Sequence, residues 1–285
     1  MKIKGHQSFY IRRGWIHKGL KEIKQNPKVF SDKDLVLTDI FGIGSNMVLS
    51  LKYWLKVLGL VEQVRSGNKY IYKLTDIGEL IYKYDKYLEN IETWELLHYK
   101  ISTNEDIATT WYWFFNIYEG VKFNRLSLFN ALQNYIESNY EKSVVERSIK
   151  DDITCLLNTY LTREITSPED NMESPFAQLG LIEMSSIKGN NITYKKSKKY
   201  FPNSMLLYYI LLEQAGEREL IDLEEIINGR ESICKIFNLD FSEVLGILDN
   251  LQNEGKIKFI RTAGLNYISI IKNESNIEVL ENIYR

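Results

Sequence analysis

Three histidines, His6, His17 and His98, and two cysteines, Cys155 and Cys234, are all the imidazole and thiol groups in this chain of 285 residues. No two histidines stand at HxH or HxxxH spacing, which would set two rings on one edge of a strand or helix, and the cysteines lie far apart. A transition-metal site from this set is improbable, and no disulfide spacing is present, so a reducing cytoplasm is the expected setting. A metal-dependent nuclease would need clustered carboxylates, usually with a strand lysine, to hold a divalent ion and orient water. Asp151-Asp152, Glu164, Glu169-Asp170 and Glu173 are carboxylates, but they fall on a predicted helix and loop with no E-x-K strand, and most are expected to be solvated. His6, in Gly5-His6-Gln7, reads as a hydrogen-bonded structural residue. Gly42-Ile43-Gly44 lacks the third glycine and the preceding strand of a dinucleotide fingerprint, and no GxxxxGK[ST] loop occurs. The run Trp111-Tyr112-Trp113-Phe114-Phe115 could stack bases, but consecutive aromatics in a helix-rich stretch are expected to fill a core. No catalytic residue and no cofactor is expected.

The remaining chemistry is charge. The chain carries 36 Lys and Arg against 38 Asp and Glu, a net −2. Residues 1–84 hold 15 basic and 7 acidic side chains, a formal +8, and the remainder holds 21 and 31, a formal −10. A field that attracts phosphate comes from the first part alone, and the rest repels DNA unless it faces away or meets a basic partner.

The elements that must present those cations lie in residues 30–80, which lay out a winged helix-turn-helix in order. Ser31 is placed to cap a short first helix, Gly42-Ile43-Gly44 breaks it, and Ser45 is placed to cap a second. On a helical wheel Met47, Val48, Leu51, Trp54, Leu55 and Leu58 share one arc. Asn46, Leu49, Tyr53 and Lys56 face the other way, with Ser50 and Lys52 at the margins. Gly59 supplies a left-handed exit, and residues 61–65 and 69–74 read as two strands around Ser66-Gly67-Asn68, with Thr75 capping a closing helix. Upstream, residues 14–25 carry Trp15, Ile16, Leu20 and Ile23 at helical spacing and end at Asn26-Pro27. The candidate DNA-binding residues are therefore Ser45, Asn46, Leu49, Ser50, Lys52, Tyr53 and Lys56 on the helix, with Arg65, Lys69 and Lys73 on the wing.

The fold class expected is mainly α with small β-hairpin wings, in three modules: a winged helix-turn-helix over 1–90, a helical bundle over 91–165, and a winged-helix-like or docking module over 166–285. An exposed connection is expected at 162–174. In the last module residues 205–212, 222–227 and 242–253 look helical, and 256–261 with 266–271 flank Thr262-Ala263-Gly264 as a hairpin. Its helix carries Glu243 and Asp249 and no cation, so it makes a poor DNA reader. No apolar run approaches the roughly 20 residues of a membrane helix, and no signal peptide is recognised, so a cytoplasmic location without membrane contact is expected.

The chain also resembles a known family. Gly5-His6-Gln7-Ser8-Phe9, Arg13-Gly14-Trp15, Val29-Phe30-Ser31-Asp32, the segment Gly42-Ile43-Gly44-Ser45-Asn46-Met47-Val48 and Tyr53-Trp54-Leu55 resemble the bacterial family catalogued as domain of unknown function 4007. Thr109-Thr110-Trp111-Tyr112, Asp151-Asp152 with Tyr160, and Ser174-Pro175-Phe176-Ala177-Gln178-Leu179-Gly180-Leu181-Ile182 resemble its later blocks. The resemblance implies a component of bacterial defence islands, near sulfur-handling genes of DNA phosphorothioation systems. Two positions depart from the family pattern: Ser45 stands where a lysine is usual and Gln7 where a glutamate is usual, and the first lowers the phosphate affinity expected of the helix. The expected function is a non-catalytic, DNA-binding component that gives targeting or regulation, with double-stranded DNA and proteins of a defence or modification complex as partners. An assembly subunit whose winged modules bind proteins, and a repressor of its own island, are the alternatives.

Overall fold

The structure, a computed structural model, describes residues 1–285 except 142, 163–173, 190, 199 and 263–264. It divides into two compact units, Met1–Lys196 and Ser197–Arg285. Helices alternate with small antiparallel sheets, as the mainly α class requires. The expected connection at 162–174 falls almost wholly outside the described residues, as do the boundary at 165/166, the turn residues Ala263 and Gly264, and the carboxylates Glu164, Glu169, Asp170 and Glu173.

The first unit opens with α1 (Arg13–Gln25), which buries Trp15, Ile16, Gly19, Leu20 and Ile23 on one face. Next come α2 (Leu37–Phe41) and α3 (Ser45–Val57). The start of α2 differs from the sequence reading. Ser31 caps nothing, because its hydroxyl donates to the carbonyls of Lys28 and Tyr70, which ties it to the following hairpin. Gly42 ends α2 in the left-handed region at φ +62°. The cap of α3 is Gly44 rather than Ser45, with no side-chain hydrogen bond, and its carbonyl accepts from the Met47 and Val48 amides at 2.9 and 3.0 Å. Strands β1 (Val61–Ser66) and β2 (Lys69–Leu74) pair antiparallel from Val61 opposite Leu74 to Ser66 opposite Lys69. Thr75 Oγ1 accepts from the Gly78 amide at 3.1 Å to cap α4 (Asp76–Tyr84), and its hydroxyl donates to the Gly59 carbonyl at 2.6 Å. Gly78 is required there, since a Cβ would stand 2.1 Å from the Leu60 carbonyl oxygen.

The helical part follows as α5 (Ile91–Ser102), α6 (Thr109–Asn116), α7 (Arg125–Asn139) and α8 (Glu146–Tyr160). Every residue of α6 is buried, so its aromatic run fills a core. Asp85 joins α4 to α5 by accepting from the Glu89 and Asn90 amides at 2.8 and 3.2 Å and from the Thr93 hydroxyl at 2.6 Å. Strands β3 (Lys122–Phe123), β4 (Ile182–Lys188) and β5 (Asn191–Lys196) form a sheet in the order β3-β5-β4. Because β5 pairs with β3, Phe123 opposite Tyr194, the chain up to Lys196 is held to the helices within the first unit.

The second unit runs α9 (Ser204–Ala215), β6 (Leu220–Asp222), α10 (Leu223–Asn228), α11 (Ile233–Ile236), α12 (Phe241–Asn253), β7 (Ile257–Thr262), β8 (Leu265–Ile270) and α13 (Asn276–Ile283). Its sheet has the order β6-β8-β7. Helix α9 buries Leu206, Leu207, Tyr208, Tyr209, Ile210, Leu211 and Leu212 consecutively, as a helix surrounded by its own unit does. Among the described residues no helix is long and apolar enough to cross a membrane.

Candidate nucleic-acid interface

Helix α3 is covered on more than one side. Val48, Leu51, Trp54 and Leu55 are buried, as the wheel requires, but so are Ser50 and Tyr53. The Ser50 hydroxyl and the Trp54 indole N–H both donate to the Phe9 carbonyl, at 3.3 and 3.1 Å, and the Tyr53 hydroxyl donates to the Ile107 carbonyl at 2.9 Å. The N-terminal segment and the turn before α6 thus occupy a face that an isolated three-helix module would present. Ser50 and Tyr53 are withdrawn from the candidate interface for that reason. The stripe left to solvent is Ser45, Asn46 and Leu49, which are exposed, and Lys52 and Lys56, which are half-buried. Positions 45, 49, 52 and 56 lie one above another at i+3 and i+4 steps.

The β1–β2 hairpin divides its cations between two faces. Cross-strand partners share a face and neighbours along a strand alternate, so Gln63, Arg65, Tyr70 and Tyr72 lie on one side. That side meets α3: Lys56 Nζ donates to Gln63 Oε1 at 3.3 Å, and Lys52 Nζ sits 5.0 Å from the Tyr72 ring centre and 5.9 Å from that of Phe30. Arg65 therefore extends the α3 stripe. Lys69, opposite Ser66, and Lys73, opposite Glu62, belong to the other face. They do not add to the α3 stripe, because the pleat alternates and spacing along a sequence does not say which face meets the helix.

Lys2 completes the basic cluster, although the sequence reading gave it no role. Its ammonium lies 5.2 Å from the Tyr53 ring centre, and its pKa is lowered by partial burial and by the nearby charges of Lys56 and Lys52. Three ammonium groups crowded in this way favour an anion among them. Its backbone amide donates to Thr109 Oγ1 at 3.0 Å, which fixes the start of the chain beside α6.

A buried polar cluster pins this N-terminal segment. Asp152 Oδ1 accepts from the Lys4 amide at 2.6 Å and lies 2.8 Å from His6 Nε2, while Oδ2 accepts from the Thr110 hydroxyl at 2.7 Å. His6 and Asp152 are 0% and 2% exposed, so Asp152 is not one of the solvated carboxylates. The Ser8 amide donates to His6 Nδ1 at 3.0 Å, which selects the neutral ring with its proton on Nε2, donating to Asp152. Burial lowers the proton affinity of this ring, while Cys155 and Asp152 raise it. A second proton would have to enter at Nδ1 against the Ser8 N–H, and this geometry decides for the neutral form. Lys4, Gln7 and Ser8 hold positive φ values of 61°, 50° and 65°, a conformation that persists only where surroundings over-determine it. Here Asp152 and the Trp54, Trp111 and Tyr53 rings around His6 do so. Gly5 is confined as well, since a Cβ would stand 2.4 Å from the Tyr53 ring.

The other reactive groups are also in structural use. His17 Nδ1 lies 2.9 Å from the Lys86 carbonyl, and His98 Nδ1 lies 2.8 Å from the Tyr160 hydroxyl. Asp151 pairs with Lys4 Nζ at 2.6 Å, and the Lys4 hydrogen bond holds its carboxyl below the usual range. Burial pushes the Cys234 thiol up to about 11. Among the described residues no three His, Cys, Asp or Glu side chains converge as a metal-ligand set.

Comparison with known proteins gives two solved structures of matching fold. A crystal structure of magnesium ion-bound SspB superposes with a TM-score of 0.88 at 20% sequence identity, covering 99% of this chain and 88% of that one. A second SspB crystal structure gives 0.86 at 20% identity with the same coverage. No curated protein matches the sequence. Residues 3–284 match the family described as protein of unknown function (DUF4007), and the chain belongs to that family.

Proposed function

We propose that this chain is a non-catalytic DNA-binding component of a bacterial anti-phage defence or DNA-modification system of the phosphorothioation type, acting in the cytoplasm with partner proteins. The observation that carries the DNA contact is the basic cluster of Lys2 on the N-terminal segment with Lys52 and Lys56 on α3, and Arg65 on the face of the hairpin that meets α3. In this reading α1, α2, α3, the β1–β2 hairpin and α4 are a winged helix-turn-helix. Its α3 enters the major groove by its uncapped N-terminal turn, with Ser45, Asn46 and Leu49 toward the base edges and the cations on phosphates. The link to a defence or modification system rests on the family resemblance, and targeting rather than chemistry is the role because the histidines and Asp152 are spent on holding the fold. The test is a titration of plain and phosphorothioated duplex DNA across a range of salt. Four phosphate contacts give a log–log slope of about −3.6, at about −0.9 per neutralised phosphate. Affinity that does not change with salt would overturn the proposal.

The magnesium ion bound in one of the SspB structures suggests a second reading, in which this chain would hold a metal ion and use it for chemistry on the DNA it contacts. Of the carboxylates described here, the pair Asp151-Asp152 does not fit such an ion: Asp152 already accepts three hydrogen bonds and Asp151 is paired with Lys4. Conversion of supercoiled to relaxed plasmid by the full chain, dependent on magnesium, would establish that reading over the first.

A further inference from the structure

A cavity of about 900 Å³ opens in the first unit between the start of α1, the turn after α2 and the 3-10 turn Pro175–Leu179. Its lining is chemically divided. Arg12, Arg13 and Lys18 bring three cations, and Trp15, Ile43 and Pro175 bring apolar surface. Among the described residues none of the three cations is ion-paired with a carboxylate; Lys18 Nζ donates instead to the Phe41 carbonyl at 3.1 Å. The first turn of α1 has no acidic residue and no side-chain cap, so no carboxylate of its own offsets the positive end of its dipole, although the Trp15 amide already donates to the Arg12 carbonyl at 3.0 Å.

Two buried polar atoms in this lining have no protein partner, Ser174 Oγ and Arg12 Nε. Ser174 is 2% exposed and sits at the cap position of the 3-10 turn, where its hydroxyl would ordinarily accept an amide; here it makes no cap bond. A buried hydroxyl left without a partner costs about 1–3 kcal/mol, so a lining that keeps one is shaped for something other than its own stability. Arg12 is steered by the Trp15 ring, 5.2 Å from its guanidinium carbon. The volume lies near the top of the roughly 300–1,000 Å³ range of small-molecule sites and far exceeds what a bare phosphate fills.

We propose that this cavity binds a phosphate-bearing nucleotide moiety. Arg12, Arg13, the Arg13 and Gly14 amides at the start of α1 and the Ser174 hydroxyl take the phosphate, and Trp15, Ile43 and Pro175 take the base and sugar. Planar guanidinium forks suit phosphate oxygens, and multiple cations favour a multiply charged anion over a single carboxylate. The same chemistry is offered by a free nucleotide and by the phosphorylated end of a DNA strand. The site is separate from the Lys52–Lys56 stripe, so its occupancy and duplex binding can fail independently.

The test uses the full chain and follows melting temperature and calorimetric binding with three probes: inorganic phosphate, ATP and a short 5′-phosphorylated single-stranded oligonucleotide. ATP or the oligonucleotide raises the melting temperature, and whichever binds more tightly identifies the source. Arg13→Ala weakens that binding by about tenfold or more, as expected for a lost charge-assisted contact. Ser174→Ala also weakens it, while leaving the melting temperature of the free protein unchanged or higher, because no protein bond is lost. Lys258→Ala, an equal charge change in the second unit, leaves it unaltered. Absence of binding by both ATP and the oligonucleotide, equally tight binding of inorganic phosphate alone, or binding indifferent to both Arg13→Ala and Ser174→Ala would overturn the proposal.

Discussion

Helix α3 with β1–β2 and helix α12 with β7–β8 follow the same order, a helix of 13 residues and then an antiparallel hairpin, and differ in the charge they carry. Helix α3 has Lys52 and Lys56 and no carboxylate, whereas α12 has Glu243 and Asp249 and no cation. Around them, residues 1–84 hold 15 basic and 7 acidic side chains, and residues 197–285 hold 10 and 14. Their support differs too. Strand β8 pairs on both edges, with β6 and β7, while β1 and β2 form a two-stranded sheet to which the Pro27 carbonyl adds a bond from the Tyr72 amide at 2.7 Å, and α3 is packed by the N-terminal segment and the turn before α6. One local architecture can therefore attract or repel a polyanion, and the charges on its helix decide which.

The largest effect that would sharpen this contrast comes from Asp152→Ala, which strips acceptors from the Lys4 amide, His6 and Thr110 in a buried site. It should cost about 3 kcal/mol or more. On the full chain, denaturant unfolding should lose stability in the first unit while the transition of the second stays in place; a shift below about 1 kcal/mol would show that the pin is dispensable. Next in size, Lys52→Ala with Lys56→Ala should weaken duplex binding and reduce the log–log salt slope by up to about two. An unchanged slope would break the assignment of α3. The counterpart on the other side, Asp249→Ala on α12 with Glu254→Ala at the position just after it, should leave both quantities where they were, and a marked gain in affinity would place α12 near DNA.

Smaller effects distinguish faces within the first unit. Ser50→Ala and Tyr53→Phe each remove one hydrogen bond to a backbone carbonyl and should cost about 1 kcal/mol in thermal or chemical unfolding, with the salt slope unaltered. At the low end, Arg65→Ala should weaken binding more than Lys69→Ala or Lys73→Ala, each by a few-fold at most. Equal losses at all three positions would mean that both faces of the hairpin touch the nucleic acid.

The sequence reveals α1, α3, α12 and both hairpins because each is a local pattern. Trp15, Ile16, Leu20 and Ile23 keep helical period, Gly59 turns the chain, and Thr75 caps at short range. What it hides is set by distant residues. Ser50 and Tyr53 look like a presented face because nothing nearby announces that the Phe9 and Ile107 carbonyls will meet them. Lys2 joins the lysine cluster only once Thr109 holds its backbone, and Lys69 and Lys73 leave it by the pleat. The start of α2 shifts because Ser31 is claimed by Tyr70, 39 residues on. A module ending near residue 90, natural on sequence grounds, would lack Ile107, Thr110, Trp111 and Asp152, and so would expose the inner side of α3.

The His6–Asp152 contact spans 146 residues, and this separation sets a schedule for synthesis. A ribosome adding about 5–20 residues per second needs about 7–30 s to travel from one partner to the other. Throughout that interval the first helices can form but their N-terminal strap has no acceptor to close on, so formation of the basic surface waits for α8. Prematurely terminated chains would accordingly lack a finished basic surface.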